Sequence, residues 1–272
     1  MTASGMELAE PSKAALQRAR GLQRRRGRTE SKQFLVEGRQ AVREGLRRPG
    51  VVDALYLSWD AALDNADLVD LARAADVPCF ALSEQNLASV TDTVTPQGIV
   101  AVANMVDVPL ESVLAASPRL VVICAQVRDP GNAGTVIRCA DAFGADGVIL
   151  SSDSVEVYNP KVVRASVGSL FHLPVVEDTD LASTIEACRA AGLQIFATDG
   201  AAGTDLTHLG DDLAKPTAWV MGNESWGLPV EHLALADKTV AVPIYGQAES
   251  LNLATAAAVC LYASASAQRT RG

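Results

Sequence analysis

The stretch LVVICAQVRDPGNAGTVIRCADAFGADGVILSS, Leu120 to Ser152, decides the fold. LVVICAQV is an apolar run rich in β-branched residues and reads as a buried strand. Pro130-Gly131-Asn132 turns the chain, with Asn132 a good N-cap. Ala133 to Phe143 then has helical spacing, with Ile137 and Ala140 facing the core and Arg138 flanking it. GVILSS is a second strand. Strand, helix and strand in that order make a parallel pair joined by a crossover.

The same alternation continues downstream. A helix starts near Pro160, PVV is short and extended, and TDLASTIEACRAAG is a helix closed by Gly192. LQIFATD and TAWVMG are strands, and a last helix starts near Leu251 with Ser250 as its cap. This is an α/β domain with a parallel sheet covered on both faces. Upstream, QFLVEG, VVDALYLS, PCFALS and GIVAVAN read as strands. RQAVREGLRR and ADLVDLARAA read as helices, and Ser83 as an N-cap. The expected organisation is a flexible tail over 1–12, a small α/β module over 13–104, a linker over 105–118 and the second domain over 119–272.

A chain of 272 residues, 49% hydrophobic and poor in aromatics, is expected to bury a large core of Ala, Val, Leu and Ile. No apolar run is long enough for a membrane span and no secretory signal is visible, so a cytoplasmic protein is expected. Five scattered cysteines with no C-x-x-C pair read as reduced thiols. The net charge of −9 hides an asymmetry: Lys13 to Arg48 holds 12 Lys/Arg against 3 Asp/Glu. RGLQRRRGR, Arg20 to Arg28, is dense in arginine, whose planar fork of donors suits phosphate. An RNA-binding arm is expected there.

No G-x-G, G-K-[ST], H-E-x-x-H or G-x-S-x-G occurs, which removes the dinucleotide fingerprint, the P-loop, the zinc protease and the serine hydrolase. What remains is a set of turn-rich loops beside apolar strands. Gly222, lacking a Cβ, lets a ligand approach the backbone closely. The helix after Glu249-Ser250-Leu251-Asn252 offers free N–H groups to an anion.

Asn132 with Arg138, then Gly222-Asn223-Glu224 with Gly227-Leu228, then Pro243 with Ser250-Leu251-Asn252, form three ordered motifs. Arg164-Ala165-Ser166 with Gly168 lies between the first two. In types and spacing the set resembles the SpoU (TrmH-type) family of RNA ribose 2′-O-methyltransferases, of the SPOUT superfamily. Residues ~30–104 resemble the accessory L30e/L7Ae-like RNA-binding domain.

The resemblance implies a C-terminal domain closed by a deep trefoil knot, a homodimer, and S-adenosylmethionine (AdoMet) as cofactor without a metal. It places AdoMet near Thr198, Met221, Gly222, Asn223, Val242, Ile244, Leu251 and Leu253. It implies that Arg138 is the central catalytic group, with Asn132 orienting it and Glu224, Ser250 and Asn252 shaping the site. Since arginine stays protonated in proteins, Arg138 is expected to pin a phosphate and orient the hydroxyl. Arg20, Arg24, Arg25, Arg26, Arg28 and Arg164 are expected to contact RNA. Large-subunit rRNA of the 23S type is the expected substrate. The alternatives are a tRNA ribose methyltransferase and a non-catalytic RNA-binding assembly factor.

Overall fold

A computed structural model describes residues 8–91, 93 and 97–270. The chain divides into two compact units, Met1–Val106 with Tyr158–Phe171, and Asp107–Val157 with His172–Gly272.

The first unit begins with helices α1 (Lys13–Gly21) and α2 (Arg25–Ser31). Then follow β1 (Gln33–Glu37), α3 (Arg39–Arg47), β2 (Val52–Leu57), α4 (Trp59–Asp64) and α5 (Ala66–Ala74). It closes with β3 (Cys79–Ala81), α6 (Glu84–Ala88) and β4 (Ile99–Asn104). The sheet order is β1-β4-β2-β3. β4 runs antiparallel to β1 and β2, whereas β3 is parallel to β2. Ser83 caps α6 by accepting the Asn86 N–H.

Two expectations change here. Of the tail expected over 1–12, residues 1–7 lie outside the described residues, but Leu8 is buried and Ala81 N–H donates to the Ala9 carbonyl at 3.0 Å. Second, Tyr158–Phe171, inside the stretch expected as the C-terminal domain, packs with this unit. Aromatic packing is the reason. Phe34, fully buried, lies 4.6 Å from the Tyr158 ring and 6.2 Å from Phe171. The Tyr158 hydroxyl accepts the buried Val106 N–H at 2.7 Å. Gly45 leaves room for Phe171, because a Cβ there would lie 3.2 Å from the ring. The same segment carries a helix, Pro160–Ser166.

The second unit opens with α7 (Leu110–Ala115), inside the stretch expected to be a linker; Val113 anchors it in the core. β5 (Leu120–Cys124), α8 (Pro130–Phe143), β6 (Gly147–Ser151) and β7 (Val175–Thr179) follow; the helix Pro160–Ser166, between β6 and β7, is α9. Then come α10 (Leu181–Ala190), β8 (Gln194–Thr198), β9 (Thr217–Met221), α11 (Val230–Leu233), β10 (Lys238–Val240) and α12 (Leu253–Thr270). All six strands are parallel, in the order β10-β8-β9-β5-β6-β7.

The parallel sheet expected from the alternation is present. β5, β6 and β9 are buried along their whole length, as strands covered on both faces must be. α12 packs on α8 and β9, where the Trp219 indole N–H donates to Ser264 at 2.9 Å. Among the described residues no helix is long and apolar enough to cross a membrane. The five cysteines are unpaired; burial pushes the Cys124 and Cys260 thiols up to about 12 and Cys188 up to about 11.

Candidate active site

Parallel strands place all their carboxyl ends at one edge, and ligands of such sheets bind in the crevice beyond that edge. Here β8 ends at Thr198, β9 at Met221 and β10 at Val240. The loops that follow enclose a cleft of about 710 Å³. All eight residues expected to hold the cofactor line it: Thr198, Met221, Gly222, Asn223, Val242, Ile244, Leu251 and Leu253. Glu224 and Ser250 line it too. Four carboxylates face it, Asp199, Asp205, Glu224 and Glu249, and no Lys or Arg is among the described lining residues.

Glu224 organises the adjoining loops. Its carboxylate accepts the Arg128 N–H at 3.3 Å, the Asp129 N–H at 3.1 Å and the Asn132 side-chain amide at 3.2 Å. These groups lie at the start of α8, where a negative charge is favoured by the free N–H groups. Asn132 Oδ1 accepts the Asn252 amide at 2.9 Å. Asn252 Oδ1 in turn accepts the N–H groups of Ala254 and Thr255. The first, second and third motifs thus meet in one chain of hydrogen bonds.

Several expected local roles change. Asp129, not Asn132, caps α8 by accepting the Asn132 N–H at 2.8 Å, with Pro130 at the first helical position. Asn252, not Ser250, caps α12. Asn132 spends its side chain on Glu224 and Asn252, and no hydrogen bond joins it to Arg138 among the described residues. Asn223 is buried; its amide donates to the Gln126 carbonyl at 2.7 Å, holding a residue at φ 56°. Gly222 answers to its own loop: a Cβ there would lie 2.5 Å from the Gly227 carbonyl carbon.

Arg138 is exposed on α8, does not line this cleft, and makes no hydrogen bond or ion pair among the described residues. In the first unit, Arg24, Arg25 and Arg26 are exposed, and Arg26 pairs with Glu30 at 2.7 Å. Arg20 donates to Ser89 at 2.7 Å and Asn86 at 3.0 Å from an exposed position. Arg164 pairs with the buried Glu37 at 3.2 Å and is a quarter exposed. Arg28 is a correction. It is buried, and its Nη1 donates to the Leu22 and Gln23 carbonyls, so it ties α1 to α2 instead of facing RNA.

The sequence reading missed the carboxylates Asp199 and Asp205, because the fold and not local spacing brings the loop after β8 to the cleft. Asp129 was findable: Asp immediately before Pro130 is a helix start.

The model of the SpoU rRNA Methylase family matches residues 119–262, and that of the MRM3-like substrate binding domain matches residues 13–101. The 23S rRNA (guanosine(2553)-2'-O)-methyltransferase RlmP of Bacillus subtilis is 36% identical over 89% of this chain and 92% of its own. Among solved structures, the SpoU methyltransferase AviRb from Streptomyces viridochromogenes in complex with AdoMet superposes with a TM-score of 0.84 at 33% identity, covering 96% of this chain and all of that one. An AdoMet-bound rRNA methyltransferase from Sinorhizobium meliloti gives 0.81 at 30% identity, over 95% and 97% of the two chains.

Proposed function

We propose, for a chain that belongs to the SpoU rRNA methylase family, AdoMet-dependent methylation of a ribose 2′-hydroxyl in large-subunit rRNA of the 23S type. The observation that carries this reading is the Glu224–Asn132–Asn252 chain of hydrogen bonds beside an acid-lined cleft. The cleft fits AdoMet by size and by charge. Its volume of about 710 Å³ lies within the ~300–1,000 Å³ typical of small-molecule sites. Its carboxylates suit a ligand that carries a sulfonium and an ammonium group.

When bound, AdoMet supplies a methyl group already activated on sulfur. The protein's part is to hold, orient and dehydrate. Met221, Val242, Ile244 and Leu251 give the cleft apolar walls, and the loop carbonyls and N–H groups give it polar handles. Glu224 fixes the start of α8, and Asn132 and Asn252 lock that start to α12. Arg138, exposed and unpaired among the described residues, takes a phosphate of the RNA and holds the neighbouring 2′-hydroxyl in line for attack. The hydroxyl proton passes to that phosphate or to water.

Because Arg138 does not line the cleft of its own chain, the proposal includes a homodimer in which Arg138 of one copy serves the cleft of the other. Exposed Val259 and Tyr262 on α12 suit such an interface. The knot implied by the family is part of the same reading, as is a cytoplasmic location. The division 13–104 and 119–272, with Tyr158–Phe171 lent to the first unit, separates RNA capture from chemistry. Arg20, Arg24, Arg25, Arg26 and Arg164 are the proposed RNA contacts.

The test is transfer from labelled AdoMet to unmodified RNA, fractionated into large rRNA, small rRNA and tRNA and mapped by nuclease digestion. Label in an alkali-resistant dinucleotide of large rRNA is the expected result. Label in tRNA alone moves the substrate; AdoMet binding without label in any fraction leaves an RNA-binding protein.

A further inference from the structure

Trp226 stands at the tip of the loop that follows β9. That loop is held shut by reciprocal hydrogen bonds, Asn223 N–H to the Gly227 carbonyl and Gly227 N–H to the Asn223 carbonyl, both 2.9 Å. The Ser225 N–H adds a bond to Asn223 Oδ1 at 2.8 Å. A loop so braced has little freedom to fold its largest side chain inward, and Trp226 remains 51% exposed. The Arg128 guanidinium carbon lies 5.1 Å from the indole centroid, within the ~6 Å range of a cation–π contact.

This pair is joined to the site. The Arg128 N–H donates to Glu224, the carboxylate that also holds Asp129 and Asn132. Glu224, Ser225 and Gly227, the residues around Trp226, line the cleft. An aromatic face and a guanidinium therefore sit at the rim of a cleft whose own described walls carry carboxylates and no cation. Carboxylate walls repel an RNA backbone; the rim offers what they lack.

We propose that Trp226 and Arg128 form a stacking platform for a nucleobase of the RNA, next to the ribose that is methylated. The proposal rests on the methyltransferase reading above. A base presents a flat π face to the indole, and Arg128 stacks on that base or takes the adjoining phosphate. A base inside a duplex already has both faces covered, so the platform selects an unpaired or extruded nucleotide. Trp226 is a specificity-determining residue in this scheme: it places the ribose, while the reacting atoms are handled elsewhere.

The test uses the full chain and an rRNA fragment, with Trp226→Ala, Trp226→Phe and Arg128→Ala. Trp226→Ala is expected to raise KM for the fragment about tenfold, inside the roughly 5- to 150-fold that the ~1–3 kcal/mol of one base stack corresponds to. Its kcat, AdoMet Kd and melting temperature are expected to stay at wild-type values. Trp226→Phe should recover most of the loss, and Arg128→Ala should fall between. A wild-type KM in Trp226→Ala, or equal impairment in the Ala and Phe variants, overturns the platform while methyl transfer by the wild type stands. Weakened AdoMet binding in Trp226→Ala also overturns it, assigning the indole to the cofactor. If the wild type transfers no methyl to any RNA, the methyltransferase reading fails by itself. RNA affinity of wild type and Trp226→Ala, measured by anisotropy without AdoMet, then decides the platform: a tenfold gap supports it and equal affinities overturn it.

Discussion

The mixed sheet of the first unit and the parallel sheet of the second use similar residues to different ends. β4 is flanked by two antiparallel neighbours, so connections in the first unit leave from both ends of the sheet. Exposed arginines stand on its N-terminal helices. In the second unit all six strands point one way, and every crossover delivers its loop to the same edge. That edge is a cleft lined by acids. Strand direction and loop composition together set an arginine-bearing unit apart from a crevice lined by acids.

The sharpest test of this division is Arg138→Ala. It should lower methyl transfer at least about a hundredfold, the usual effect of removing one electrostatic partner of the reacting groups. AdoMet affinity, read by calorimetry, should change less than about twofold. Equal loss of both would place Arg138 in the cleft after all.

Gly222→Val tests whether the cleft depends on loop packing or on ligand approach. Because the new Cβ would meet the Gly227 and Leu228 backbone, melting temperature and AdoMet affinity should fall together. Lost affinity at an unchanged melting temperature would return Gly222 to direct ligand contact.

Within the first unit, the arginines themselves divide. The triple change Arg24→Ala, Arg25→Ala, Arg26→Ala should leave stability intact and flatten the salt dependence of RNA binding. On single strands the log–log slope should fall by ~0.7 for each phosphate no longer neutralised. Arg28→Ala should do the reverse, costing about 1–3 kcal/mol for the buried Leu22 carbonyl and the part-buried Gln23 carbonyl it deserts. Denaturant melts and filter binding over a salt series separate the two outcomes.

The smallest effect is electrostatic. Hydrogen bonds from Lys215 and Lys238 hold the Asp212 carboxyl down to about 2. Since the folded value is depressed, this contribution is present above the unfolded value of ~3.9 and is lost as pH falls from there to about 2. Asp212→Asn should flatten stability across that acid window, as read by thermal melts at stepped pH.

Most strands were readable because their apolar runs are short and bounded by turn residues, as in LVVICAQV and GIVAVAN. β10 was not, since only Val240 of its three residues is buried. The caps were misread where two good capping residues compete: Asp129 and Asn132 both qualify, and Pro130 settles the matter by occupying the first helical position. The motif residues of the cleft were readable as a set. Their partners were not, because Glu224 and Asn132 stand 92 residues apart and no local rule joins them. Arg28 looked like its exposed neighbours in composition, yet it is buried and donates to the Leu22 and Gln23 carbonyls.

Phe34 also sets a clock for synthesis. The ring that emerges early is enclosed by Tyr158 and Phe171, which emerge after the first strands of the second unit. At ~5–20 residues per second, the ribosome needs several seconds to roughly half a minute to deliver that closing segment. During that interval β1 is made but its largest side chain lacks the two rings that pack on it, so the nascent first unit waits on sequence from beyond its own first stretch before its core is complete.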